Sequence, residues 1–116
     1  MDEFIKVTNA NLFHDQSLID IRKENDDVII EVDDDMDNKY IIRIVNAKIK
    51  SNVEIDLNDL KGAWINELSY KESDNGEKCV CLNTHGKNGY YIGEFQYVPI
   101  LDEFYFYSDN IVVSSK

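Results

Sequence analysis

Proline is nearly missing from this sequence, at one residue in 116, and glycine is sparse, at five. No Pro- or Ser-rich linker, repeat or low-complexity tract divides the chain, so residues 1–116 read as a single domain. With 43% hydrophobic residues, the composition is that of a folding chain and not of a disordered one. No apolar run approaches the roughly 20 residues that a membrane-spanning helix needs. The opening MDEFIKVTNA is acidic and has no long apolar segment. No signal peptide is expected from it, and the expected location is the cytoplasm.

Metal-ligating residues are also few. The chain has His14, His85, Cys79 and Cys81, and none falls in a zinc-ligand spacing. Cysteines two apart on a strand share a face, but their side chains run parallel and bridge poorly. A reduced, packed pair is expected, with no metal and no cofactor. Catalytic signatures are missing too. His14 and Asp15 are neighbours in sequence, whereas a triad needs contact in space. Cys81 lies four residues before His85, but on an apolar strand of an acidic protein, without the electropositive setting that activates a thiol. No Gly-rich phosphate loop is present and no carboxylate pair stands out, so no enzyme is expected.

Positive charge is the last shortage. Twelve Lys and Arg face 23 Asp and Glu, for a net charge of −11. Such a surface repels nucleic-acid phosphates and anionic lipid. It favours a partner with a basic surface, met by fast and salt-sensitive association.

What the sequence does contain is a succession of β-type segments. SLIDIRKE, DDVIIEV and KYIIRIVNAKI are rich in β-branched and aromatic residues. Setting Val32 opposite Ile42 and Ile30 opposite Ile44 places Glu31 opposite Arg43, which satisfies both faces of an antiparallel hairpin. Its tip then falls near Met36 to Asn38, with Asn38 suited to positive φ. Asp56 or Asn58 predicts the cap of a short helical turn near residues 56–61, before Gly62. AWINELSYKE places Trp64, Leu68 and Tyr70 on one face. Asn75-Gly76 predicts a type I′ turn. EKCVCLNT is apolar on both faces, as in a covered central strand. HGKNG reads as a further turn, YYIGEFQYV as a strand with a bulge at Gly93, and EFYFYS and NIVVSS as closing strands joined at Asp109-Asn110. The expected fold is all-β and mainly antiparallel, a β-sandwich or strongly bent sheet of about 7–9 short strands.

EVDDDMDNKY, residues 31–40, alternates Asp33, Asp35 and Asp37 like the first ligands of a calcium loop. An EF-hand also needs Gly at position 6 and Glu at position 12. Those positions hold Asn38 and Ile44, so the segment reads as an acidic hairpin tip. From Asp26 to Asp37 there are seven acidic residues and no Lys or Arg. Asp26, Asp27, Asp33, Asp34, Asp35 and Asp37 are therefore the expected partner-binding residues. An exposed Tyr, or Trp64, is the expected anchor.

The segment NLFHDQSLIDIRKENDDVIIEVDD, with its Phe13-His14-Asp15 entry, resembles small bacterial all-β immunity proteins of polymorphic and contact-dependent growth-inhibition toxin systems. YIIRIVNAKI and EFYFYSDNIVVS are similar to further elements of those proteins. The resemblance implies a protein that binds and neutralises a cognate toxin domain, basic and nuclease-like, by occlusion and without catalysis. His14 and Asp15 are expected to tie the N-terminal segment to the first strand by hydrogen bonds. The alternative reading is a non-catalytic accessory domain that binds a small ligand or another protein.

Overall fold

The structure, a computed structural model, describes residue 5 and residues 16–34, 37–54 and 56–115. The Phe13-His14-Asp15 motif and its expected bonding lie outside the described residues, as does Asp35.

The fold is all-β and antiparallel. Among the described residues, eight strands run in the order β1 (Leu18–Glu24), β2 (Asp27–Asp33), β3 (Lys39–Val45), β4 (Lys48–Ser51), β5 (Ile65–Glu72), β6 (Lys78–Ile92), β7 (Gln96–Ser108) and β8 (Asn110–Ser115). They form two four-stranded sheets, ordered β1-β2-β3-β8 and β4-β7-β6-β5. A 3-10 turn, Leu57–Leu60, precedes β5, and the Asp56 side chain caps it by accepting from the Asn58 N–H.

Alternation builds the core. Val28, Ile30 and Val32 of β2 and Tyr40, Ile42 and Ile44 of β3 point to one side and are buried. Val80, Leu82, Phe104 and Phe106 of the second sheet join the same core, with Leu60 at one end. Each buried side chain of this size contributes roughly 1.5–3 kcal/mol relative to exposure. Bulges correct the phase where alternation would fail. An irregularity between Ile65 and Glu67 lets both Ile65 and Leu68 face inward, three residues apart. Trp64 is consequently exposed, off the face expected for it. The extra residue between Leu18 and Asp20 does the same for Leu18 and Ile21.

The chain changes sheets at two tight corners. Asn46, at φ 49, ends β3, so the expected continuous strand through NAKI is divided between the sheets. Asp109 separates β7 of one sheet from β8 of the other. There the Ser108 hydroxyl accepts from the Asn110 N–H at 3.0 Å and also reaches the Val45 carbonyl, tying both corners together.

The β2–β3 hairpin forms as expected, but its register is displaced by two residues. Val32 lies opposite Tyr40, Ile30 opposite Ile42, and Glu31 opposite Ile41. The cause is the turn. The Asp34 N–H donates to the Asn38 carbonyl at 2.9 Å, closing a three-residue loop with Asp37, not Asn38, at positive φ (63°). A shift of two keeps every side chain on its expected face. Arg43 then pairs away from Glu31, with Asp27 at 2.8 Å and Glu24 at 3.1 Å. The turn after β5 follows the same plan. Ser73 N–H donates to the Glu77 carbonyl at 2.8 Å, with Gly76 at φ 85, so a three-residue loop stands where Asn75-Gly76 predicted type I′.

A further difference from expectation concerns β6. HGKNG is not a turn; it lies within β6, which runs on to Ile92. The reversal comes at Gly93 (φ 68), leaving Ile92 opposite Gln96. Gly93 therefore makes a turn where a bulge was expected.

Candidate partner-binding surfaces

The acidic segment is split by the fold. Asp26 and Asp27 sit at the β1–β2 turn, whereas Asp33, Asp34 and Asp37 sit at the β2–β3 turn. The seven-residue strand β2 holds the two groups about 20 Å apart. Their environments differ. The Asp34 carboxylate is buried and accepts from the Asn38 N–H (2.9 Å), the Asn38 side-chain amide (3.1 Å) and the Tyr40 hydroxyl (3.4 Å). It serves the turn. Asp27 accepts from the Asn46 N–H at 3.0 Å and from Arg43. The backbone bond first, and Arg43 second, hold its carboxyl below the usual range. Asp33 is half-buried, while Asp26 and Asp37 are exposed. Of the described members of the expected set, Asp26 and Asp37 are the carboxylates offered most freely to solvent at the two ends of the sheet.

A second surface comes from the long hairpin. Pairing of β6 with β5 stops at Thr84, and pairing of β7 with β4 stops at Phe104. The β6–β7 pairing continues past both, from His85↔Leu101 to Ile92↔Gln96, as a two-stranded arm. The Asn52 side chain anchors its base, donating to the Leu101 carbonyl at 3.1 Å and accepting from the Glu103 N–H at 2.8 Å.

The arm is apolar on both faces. Tyr91 and Tyr97 pair on one side with ring centroids 5.2 Å apart. Tyr90, Ile92 and Ile100 lie along the other, all about half exposed or more. Phe95 at the tip is 93% exposed. Gly89 lets Tyr97 lie flat across the strand; a Cβ there would stand 2.5 Å from the ring and from the Val98 carbonyl. From residue 85 to 101 the formal charges are Lys87 and Glu94, which cancel, so the −11 belongs to the rest of the chain. Sequence reasoning missed the arm because two turn-like tokens were misassigned. YYI and FQYVPI are apolar on both faces, but so is the covered strand EKCVCLNT, so the pattern alone does not tell an exposed arm from a buried strand.

A third feature is the outer face of the second sheet. Cys79 and Cys81 point away from the core, buried and without a disulfide, their sulfurs 3.7 Å apart in a thiol–thiol hydrogen bond. Burial, then the Cys81 thiol, push Cys79 up to about 12. β6 is a central strand here, as expected.

No family model, curated protein or solved structure matches this chain. Among the described residues, no helix is long and apolar enough to cross a membrane.

Proposed function

We propose that this chain is a non-catalytic binding protein of the immunity type, which neutralises a basic, nuclease-like toxin domain in the cytoplasm by occlusion. One observation carries the reading: an aromatic arm of zero net charge projects from a strongly acidic body. Contiguous exposed apolar surface of this kind marks interaction sites. Aromatic side chains supply most of the affinity where such sites are buried. The acidic body selects the partner. A basic surface is drawn to it, and a nuclease surface so covered loses access to its own anionic substrate. In this reading the arm enters an apolar cleft of the toxin, and carboxylates such as Asp26 and Asp37 steer its approach.

The reading is tested by rescue of growth. The protein encoded immediately upstream of this chain is taken as the candidate toxin and is expressed alone and together with it. Restored growth, and a complex of the two purified proteins, support the proposal. Continued killing with no complex overturns it.

A further inference from the structure

Cys79 and Cys81 are not used by the arm or by the acidic turns. They lie on the outer face of the second sheet, on the floor of a cavity of about 350 Å³. Their cross-strand neighbours are Lys71 and Ser69 on β5 and Tyr107 and Tyr105 on β7. Two thiols on alternate residues normally run parallel; here they lean together to 3.7 Å. The Ser69 hydroxyl, opposite Cys81, is buried with no hydrogen-bond partner. A buried polar group in that state commonly signals a missing solvent molecule or ligand.

We infer that Cys79 and Cys81 form a two-coordinate site for a soft monovalent cation of the Cu(I) class. The donor set selects the ion. Zinc takes four ligands in a structural site. Among the described residues no group of three or more His, Cys, Asp and Glu is placed to hold a metal. Paired thiolates with no further donor suit a soft ion that accepts two sulfurs. Binding replaces two S–H bonds with two S–Cu bonds and releases two protons, with no change of oxidation state at copper or sulfur. The product, two thiolates and one monovalent ion, carries one negative charge. The groups facing it are Lys71 and Glu72 from β5, Glu77 before β6, and Tyr105 and Tyr107 from β7. Lys50 of β4 lies over the Tyr107 ring at 5.4 Å. Lys71, opposite Cys79, is the cation that offsets the new charge, against the opposing carboxylates of Glu72 and Glu77.

The test uses purified, reduced protein and Cu(I) held by bicinchoninate under nitrogen. The expected result is uptake of one ion per chain, loss of uptake in Cys79→Ser and in Cys81→Ser, and an affinity that rises with pH as two protons leave. Native protein gives an independent reading, because X-ray absorption should show two sulfur neighbours at copper. No uptake by native protein, uptake unchanged in both serine variants, or a copper site built from nitrogen and oxygen donors would each overturn the inference. Folding of the variants is checked by circular dichroism, and the native spectrum decides the matter should they not fold.

Discussion

At the scale of single residues, neighbouring aspartates do different work. The Asp34 carboxylate accepts from Asn38 and Tyr40 across the β2–β3 turn, whereas Asp37 is exposed two residues before β3 begins. Replacing Asp34 by Ala leaves the Asn38 N–H without its acceptor, and should cost about 1–3 kcal/mol in urea denaturation. Asp37→Asn keeps a side chain suited to positive φ and should cost under about 0.5 kcal/mol. Equal losses at the two positions would contradict the structure. Asp27 gives a pH signature. Its folded pKa is depressed, so its contribution is present above the unfolded value of about 3.9 and is lost as pH falls through the lower folded value. Asp27→Asn should therefore reduce stability at pH 7 and flatten the acid limb of the stability curve, measured by denaturation from pH 7 to pH 2. A variant whose acid limb is as steep as that of the native protein would remove Asp27 as a contributor.

The elements divide into a body and an arm. In the body, β2 and β3 are covered on one face by the shared core. In the arm, two strands have only each other, and an isolated hairpin is marginally stable in water. Amide exchange should therefore be faster at Tyr90–Ile92 and Tyr97–Val98 than at Ile30 and Ile42, read by hydrogen–deuterium exchange. Equal protection would show that the arm is covered. The same division explains what the sequence reveals. Where a strand lies over the core, alternation specifies it, and β2, β3 and the facing pattern of Val28, Ile30 and Val32 were legible. The β2–β3 register was two residues off because the Asp34 bonds that choose loop length follow from three-dimensional geometry, which pairing rules do not include. HGKNG resembled a turn because its glycines and asparagine suit positive φ, yet the chain there continues extended. The arm was hidden for that reason. The separation of Asp26 and Asp27 from Asp33, Asp34 and Asp37 was equally hidden, because contiguity in sequence becomes opposition in space once a strand intervenes.

At the scale of the whole molecule, charge and the main apolar patch occupy different places. The body carries the net charge of −11, and the arm carries most of the exposed aromatic side chains, Trp64 being the exception on the body. A partner that is basic and has an apolar cleft meets both. The two contributions should separate kinetically. Asp26→Asn with Asp37→Asn should lower the association rate and weaken its salt dependence, leaving dissociation nearly unchanged. Changes in the arm should act on dissociation, because the aromatic contacts form only in the docked complex.

The central claim is that the arm docks the partner. It is tested most directly by measuring dissociation of the toxin complex for native protein and for the double variant Tyr91→Ser, Phe95→Ser, with unfolding curves recorded alongside. Both side chains are exposed, so stability should change by less than about 0.5 kcal/mol. The complex should dissociate at least about tenfold faster, since truncating an anchoring aromatic typically costs 2 kcal/mol or more. Native dissociation from a variant that retains native stability would contradict the account.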